Sequence, residues 1–262
     1  LFGDEARRYI AAVPRYVPQW TAYRGAGGMK RRWLAGLALG GLIVGRRLSA
    51  PRQMPHLDVW QRVMAEQRGE VEAAMLAARV QARYDELYAQ RPRFSGRALR
   101  FHVESNILPA LVLYQVLQEA ESDTSQEDVL EEVAGLLEVA MRDRLIKRSE
   151  FFEHVPRPFA VFRWSARWFM RLLFPPAGWE MEMVEDSDEC FAFNVHRCFY
   201  LDVLTAYGAP ELTRLFCWLD DLAYEALPPT ITWERTRTLG RGDDCCDFRW
   251  CRVTPEMAAA GS

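Results

Sequence analysis

The chain has 262 residues, half of them hydrophobic and 26% charged, with 33 basic against 36 acidic side chains and a net charge of −3. That is enough chain to bury a substantial core. It excludes a low-complexity or disordered protein and gives no global electrostatic case for a nucleic-acid partner. Six cysteines are too few for a disulfide framework, and Cys245 and Cys246 are adjacent. They read as reduced thiols of a cytoplasmic protein.

Residues 1–55 are rich in Gly, Pro and Arg and read as an irregular extension. Within them, residues 33–48 (WLAGLALGGLIVGRRL) form a short apolar run flanked by Lys30, Arg31, Arg32, Arg46 and Arg47. A membrane span needs roughly 20 apolar residues. The segment therefore reads as a surface anchor or a buried hairpin, and a weak membrane association through it is compatible with the sequence. Apolar residues then recur at three- and four-residue steps from 56 to 90, ahead of Arg91-Pro92, which predicts a helix. A second helix is expected over 99–120, kinked or restarted at Pro109. Ser125 and Asp128 resemble a capping box before a third helix that ends before Pro156. A fourth, aromatic on several faces, covers 159–174 and ends at Pro175-Pro176.

The period then changes to two. Trp179, Met181 and Met183 alternate with Glu180 and Glu182, and Phe191, Phe193 and Val195 alternate with Cys190, Ala192, Asn194 and His196. That predicts a β-hairpin turning at Asp186-Ser187-Asp188. Helix returns over 199–207, breaks at Gly208 and restarts at Pro210. A second hairpin is expected from ITWERTRTL (231–239), a GRGDD turn and CCDFRWCRV (245–253). The fold class is α+β. A helical part (56–176) packs on a C-terminal ββ-αα-ββ four-stranded antiparallel sheet (177–254), and a disordered tail covers 255–262.

All six cysteines fall between Cys190 and Cys251, so chemistry is sought in the last third. Cys198 sits where a strand meets a helix N-terminus, which favours a thiolate, with His196 and Arg197 adding positive charge. Burial as a small hydrophobe is the competing reading. On the helix of residues 210–227, Cys217 faces away from the stripe of Leu212, Leu215, Leu219 and Leu222, with Asp221 and Tyr224 beside it and Asp220 on the flank. It either lines a cavity or belongs to a solvated face. Cys246 shares a strand face with Phe248 and Trp250, while Cys245, Asp247 and Arg249 point the other way. Cys198, Cys217 and Cys246 with Asp220 or Asp221 give the count for a zinc or iron site, but their separations argue neither for it nor against it. No metal and no cofactor is assigned. No P-loop, dinucleotide fingerprint or HExxH occurs.

An ordered set of motifs then stands out: Gly178-Trp179, Cys198-Phe199-Tyr200, Gly208-x-Pro210-Glu211-Leu212, Cys217-x-x-Asp220-Asp221, Arg235-Thr236, Thr238-Leu239, Gly242 and Cys246-Asp247-Phe248-Arg249, with ESNILPALVLYQVL (104–117) upstream. Across roughly residues 60–252 this set resembles the L-2-amino-thiazoline-4-carboxylic acid hydrolase family. The resemblance implies an enzyme that opens a small ring containing sulfur and nitrogen, breaking a C–N or C–S bond. The namesake reaction turns 2-aminothiazoline-4-carboxylate into a carbamoylated cysteine. It implies Cys198 or Cys246 as nucleophile or water-activating group and Asp220 or Asp221 as general base. Arg235 or Arg249 would hold a substrate carboxylate. Asn194, His196, Cys217, Thr238 and Asp247 would complete the substrate contacts. The partner is a small-molecule substrate. A ring-forming or isomerising enzyme of specialised metabolism on the same scaffold, or a non-catalytic binding module, is the alternative. Oligomeric state is not legible.

Overall fold

The computed structural model describes residues 53–121 and 123–253. The apolar segment 33–48, almost all of the N-terminal extension and the tail lie outside the described residues. Six helices come first: α1 (Leu57–Arg68), α2 (Glu70–Gln90), α3 (Arg97–His102), α4 (Leu108–Ala120), α5 (Gln126–His154) and α6 (Pro158–Leu173). Then follow β1 (Glu180–Asp186), β2 (Cys190–Arg197), α7 (Phe199–Ala206), α8 (Thr213–Glu225), β3 (Ile231–Glu234) and β4 (Cys246–Arg252).

Two helices replace the one expected over 56–90. Gly69 lies between them at φ 87°, a left-handed conformation that stops α1 and lets α2 restart at once. The expected helix 99–120 is likewise divided. Pro109 has no N–H for the carbonyl of Ser105, and the chain makes a π turn over Val103–Ile107 before α4. Tyr84 of α2 donates its hydroxyl to the Glu104 carbonyl there at 2.7 Å, so an α2 side chain satisfies backbone where the helix ladder is disturbed.

α4 is buried on nearly every face, from Leu108 to Tyr114 and again at Val116 and Leu117, and packs against α2 and α5. Trp60 of α1, fully buried, donates its indole N–H to the Leu136 carbonyl of α5 at 2.7 Å. The Ser125 hydroxyl accepts the Asp128 N–H at 3.2 Å and caps α5 as expected. Pro158 opens α6 after Arg157, which sits at φ 56°.

The sheet has four strands in the order β1-β2-β4-β3, every neighbouring pair antiparallel, with α7 and α8 between the two hairpins. Val195 faces Cys246, Phe193 faces Phe248 and Phe191 faces Trp250, and this face carries the core. An extra residue in β1, between Met183 and Glu185, shifts the register. The bulge leaves Val184 exposed and brings Asp186 opposite Phe191, on the inner face, where Arg163 (3.6 Å) and Arg167 (3.1 Å) of α6 meet it. The second hairpin departs from expectation. β3 ends at Glu234 rather than near 239, because Asp247 draws the following backbone into a loop. It accepts the N–H groups of Thr236 (2.9 Å) and Arg237 (2.6 Å) and the Thr236 hydroxyl (2.6 Å).

The thiols also depart from expectation. Cys190 and Cys251 face each other across β2 and β4, Cα atoms 4.1 Å apart, and form a disulfide. They stand 61 positions apart in the chain, which hides the pairing from any reading of local spacing. Cys198, Cys217, Cys245 and Cys246 are free. No helix among the described residues is long and apolar enough to cross a membrane.

Candidate active site

The inner face of the sheet, α8 and the loop after β3 enclose one polar cluster in an otherwise aromatic interior. From α8 come Cys217, Asp220, Asp221 and Tyr224, which share one helix face at three- and four-residue steps. From β4 comes Cys246, from the residue just after β3 Arg235, and from the loop Thr238. Cys198 stands at the N-cap of α7. Arg148 reaches in from α5, its guanidinium 5.7 Å from the centre of the Tyr224 ring. Thus α8 is covered on both sides, and Cys217 lies in the interior rather than on a solvated face.

The two central sulfurs form a hydrogen-bonded pair. The Leu239 N–H donates to Cys246 Sγ at 3.2 Å, and the Cys246 thiol in turn donates to Cys217. That bond holds Cys217 below the usual thiol range against the opposing effect of burial, and Arg235 and the Thr238 hydroxyl push the same way. The same bond pushes Cys246 well up, so it keeps its proton. Burial pushes Cys198 up to about 12, although the N–H groups of Tyr200 and Leu201 at the helix start favour its thiolate. The helix-terminus effect expected for Cys198 is present, and desolvation outweighs it.

The close approach has a glycine behind it. A Cβ at Gly240, in the 3₁₀ turn Leu239–Arg241, would stand 2.8 Å from Cys217 Sγ. Thr238, fully buried, caps that turn by accepting the Arg241 N–H at 3.2 Å.

Arg235 has a side chain only 1% exposed and is heavily engaged. It pairs with Asp221 at 2.7 Å and Asp220 at 3.5 Å and donates to the Cys217 carbonyl. Asp221 also accepts the Trp233 indole N–H at 3.2 Å. Asp220 is different. Burial raises its pKa to about 6 despite Arg235, yet 47% of its side-chain surface is open. Its carboxylate is thus desolvated by the fold and still reachable from outside. Nε and Nη2 of Arg148 are covered and find no hydrogen-bond acceptor, and burial lowers its pKa.

Next to Cys198, Tyr200 joins a second polar chain. Its hydroxyl accepts from Asn106 Nδ2 at 2.9 Å and donates to His102 Nδ1 at 2.8 Å, and His102 Nε2 donates to the Leu173 carbonyl at 2.8 Å. Burial lowers His102 to about 4, so it is neutral with one tautomer fixed by its two partners.

Of the residues expected at the site, Cys198, Cys217, Cys246, Asp220, Asp221, Arg235 and Thr238 come together. Asn194, His196, Asp247 and Arg249 do not, because they alternate onto the outer sheet face. There Asn194 lies opposite Asp247, and His196 pairs with Glu182 at 3.0 Å. Arg249 lies 3.4 Å from Cys190 Sγ and 3.5 Å from Glu185. Asn194, Asp247 and Arg249 rim a shallow groove with Val184, Ala192 and Thr236, on the other side of the sheet from the thiols. Asp247 is occupied as the loop staple and is held below the usual carboxylate range, burial being outweighed by hydrogen bonds from Thr236 and Arg237. Among the described residues no three His, Cys, Asp or Glu side chains gather in a way that could hold a metal ion.

Arg148 and His102 were not singled out from the sequence, Gly240 entered only within the GRGDD turn, and Tyr200 and Asn106 only inside the motifs of the family resemblance. Arg148 did carry a signal. It continues the apolar stripe of Met141, Leu145 and Phe152 at helical steps, where a charge is out of place.

A family model described as L-2-amino-thiazoline-4-carboxylic acid hydrolase matches residues 100–250, more than half of the chain. That span contains every residue of the cluster. No curated protein and no solved structure matches the chain.

Proposed function

The chain belongs to the L-2-amino-thiazoline-4-carboxylic acid hydrolase family, and from that premise we propose that it opens a small sulfur- and nitrogen-containing ring by hydrolysis, with Cys217 as nucleophile. One observation carries the assignment. The Cys217 sulfur is the one that the Arg235 guanidinium, the Thr238 hydroxyl and Cys246 surround, with Gly240 leaving room for it, whereas burial dominates at Cys198 and Cys245.

The proposed sequence is balanced in atoms and protons. The Cys217 thiolate adds to the ring carbon between nitrogen and sulfur. The ring sulfur leaves with its electron pair and takes the proton of Cys246. The product of this half is an isothiourea ester on Cys217. Asp220, ionised above about pH 6, takes a proton from water and passes it to the nitrogen, while the oxygen adds to the same carbon. Collapse to the carbonyl expels the Cys217 thiolate, and the remaining water proton returns to Cys246. The net change is one water consumed and a carbamoylated aminothiol released. Arg235 keeps Asp221 and the Cys217 turn in place and lowers the energy of the thiolate. A substrate carboxylate goes to Arg148, since Arg235 is already committed and Arg249 stands across the sheet.

Steady-state hydrolysis of L-2-amino-thiazoline-4-carboxylate tests the reading. Cys217→Ala is expected to lower kcat/KM by about 10³-fold or more, the scale lost when a covalent nucleophile is removed. Cys198→Ala should retain most of the activity. The reverse ranking would return the nucleophile to Cys198.

A further inference from the structure

We propose that the outward face of α6 docks on an anionic lipid bilayer. The inward face is spoken for: Phe159 and Phe162 are buried, and Ala166 and Met170 pack against the core. On the opposite side Ala160, Trp164, Trp168 and Leu172 recur every fourth residue as one stripe. Trp164 is 43% exposed, Trp168 38% and Leu172 45%. A helix apolar on both sides is ordinarily covered on both sides, and two neighbouring exposed tryptophans are unusual on a free surface.

The charge pattern selects the occupant. α6 carries three arginines and no acid, in a chain whose net charge is negative. Arg163, Arg167 and Arg171 run along one flank of the stripe. Arg163 and Arg167 reach down to Asp186, yet Arg167 remains 41% exposed, and Arg171 is exposed. Trp beside Arg on a helix lying flat is the chemistry of the headgroup boundary, where indole rings settle and guanidinium groups meet phosphate. A second copy fits less well. The stripe offers roughly 300 Å² of apolar surface, short of the roughly 800 Å² a partner normally contributes, and self-pairing would set like charges against each other. The short apolar run 33–48 with its basic flanks carries the same signature independently, in residues outside those described.

The test is co-sedimentation of the full chain with phosphatidylcholine vesicles, with and without 30% phosphatidylserine. The wild type should bind the anionic vesicles, and brominated lipid should quench its tryptophan emission. Trp164→Ser/Trp168→Ser should weaken binding by about tenfold, and Arg167→Gln/Arg171→Gln should remove most of the preference for phosphatidylserine. The tryptophan pair is a surface change and the arginine pair leaves Asp186 its Arg163 partner, and an unchanged circular dichroism spectrum and unchanged hydrolysis check the fold. Binding unaffected by the tryptophan pair would assign it to the N-terminal run and overturn the proposal. So would absence of vesicle binding, including the case in which the tryptophan pair instead converts a dimer to a monomer.

Discussion

At the scale of single residues the account turns on how two sulfurs share one proton. Burial alone raises a thiol, and Cys198 shows the result. Cys217 escapes it because a neighbouring S–H, a hydroxyl and a guanidinium all favour the charged form. Removing the donor should therefore undo the effect. Cys246→Ala is expected to leave the protein folded and to move the alkaline-favouring limb of kcat/KM toward higher pH, which a pH–rate profile reads directly. Gly240→Ala tests the same contact by steric means. With Sγ 2.8 Å from the new Cβ, the thiol must move, and activity should fall by more than tenfold. Asp220 makes a prediction of opposite sign for stability and activity. Its pKa of about 6 lies above the ordinary carboxylate value, so the folded state holds the proton more tightly than the unfolded chain. That contribution is complete below the unfolded pKa and is lost as pH rises through about 6. Asp220→Asn should thus melt no lower than wild type at pH 7.5, and higher if the ionisation cost dominates, while hydrolysis is abolished. A lower Tm at that pH would show the carboxylate to be structural.

At the scale of elements, the sheet is held from inside. Trp250 lies against Phe191, Trp233, Tyr224 and Phe248, and its removal should cost about 3–5 kcal/mol in urea unfolding. Arg249, 43% exposed with its nearest carboxylate at 3.5 Å, should cost under about 1 kcal/mol and leave hydrolysis unchanged. The comparison also separates the inner cluster from the outer groove. His102 ties α3 to α7 and to the end of α6. Its pKa of about 4 lies below the ordinary imidazole value, so the unfolded chain takes up a proton that the fold refuses. Stability is complete above about pH 6.5 and should fall by about 3 kcal/mol as pH drops toward 4, a slope that His102→Gln removes. The elements themselves were largely legible. Period changes marked helix against strand, and Ser125, Gly208 and Pro210 stood at their ends. What was missed there was a one-residue effect each time: Gly69 dividing a helix, Pro109 forcing a π turn, and Asp247 pulling five residues out of a strand.

At the scale of the whole molecule, one hydrophobic cluster runs from Met54 to Trp250, so the helical part and the sheet share a core rather than meeting at a seam. Alternation told which residues of a strand share a face, but not which face looks inward to the other elements. Alternation had already set Asp247 and Arg249 on the face opposite Cys246, and only the family resemblance gathered them, with Asn194, into one site although the sheet stands between them. Helical phase placed Cys217 beside Asp221, but only the packing of α8 under the sheet brings Arg148, 69 positions earlier in the chain, to the same cluster. The Cys190–Cys251 bond was illegible for the same reason, since strand order decides which cysteines are neighbours.

Peptide mapping of a turnover mixture quenched in acid bears most directly on the central assignment. With L-2-amino-thiazoline-4-carboxylate as the probe, the peptide carrying Cys217 is predicted to gain the mass of one intact substrate, and this gain should disappear in Cys217→Ala. Substrate mass on Cys198 or Cys246 instead, or steady hydrolysis by the Cys217→Ala protein, would contradict it.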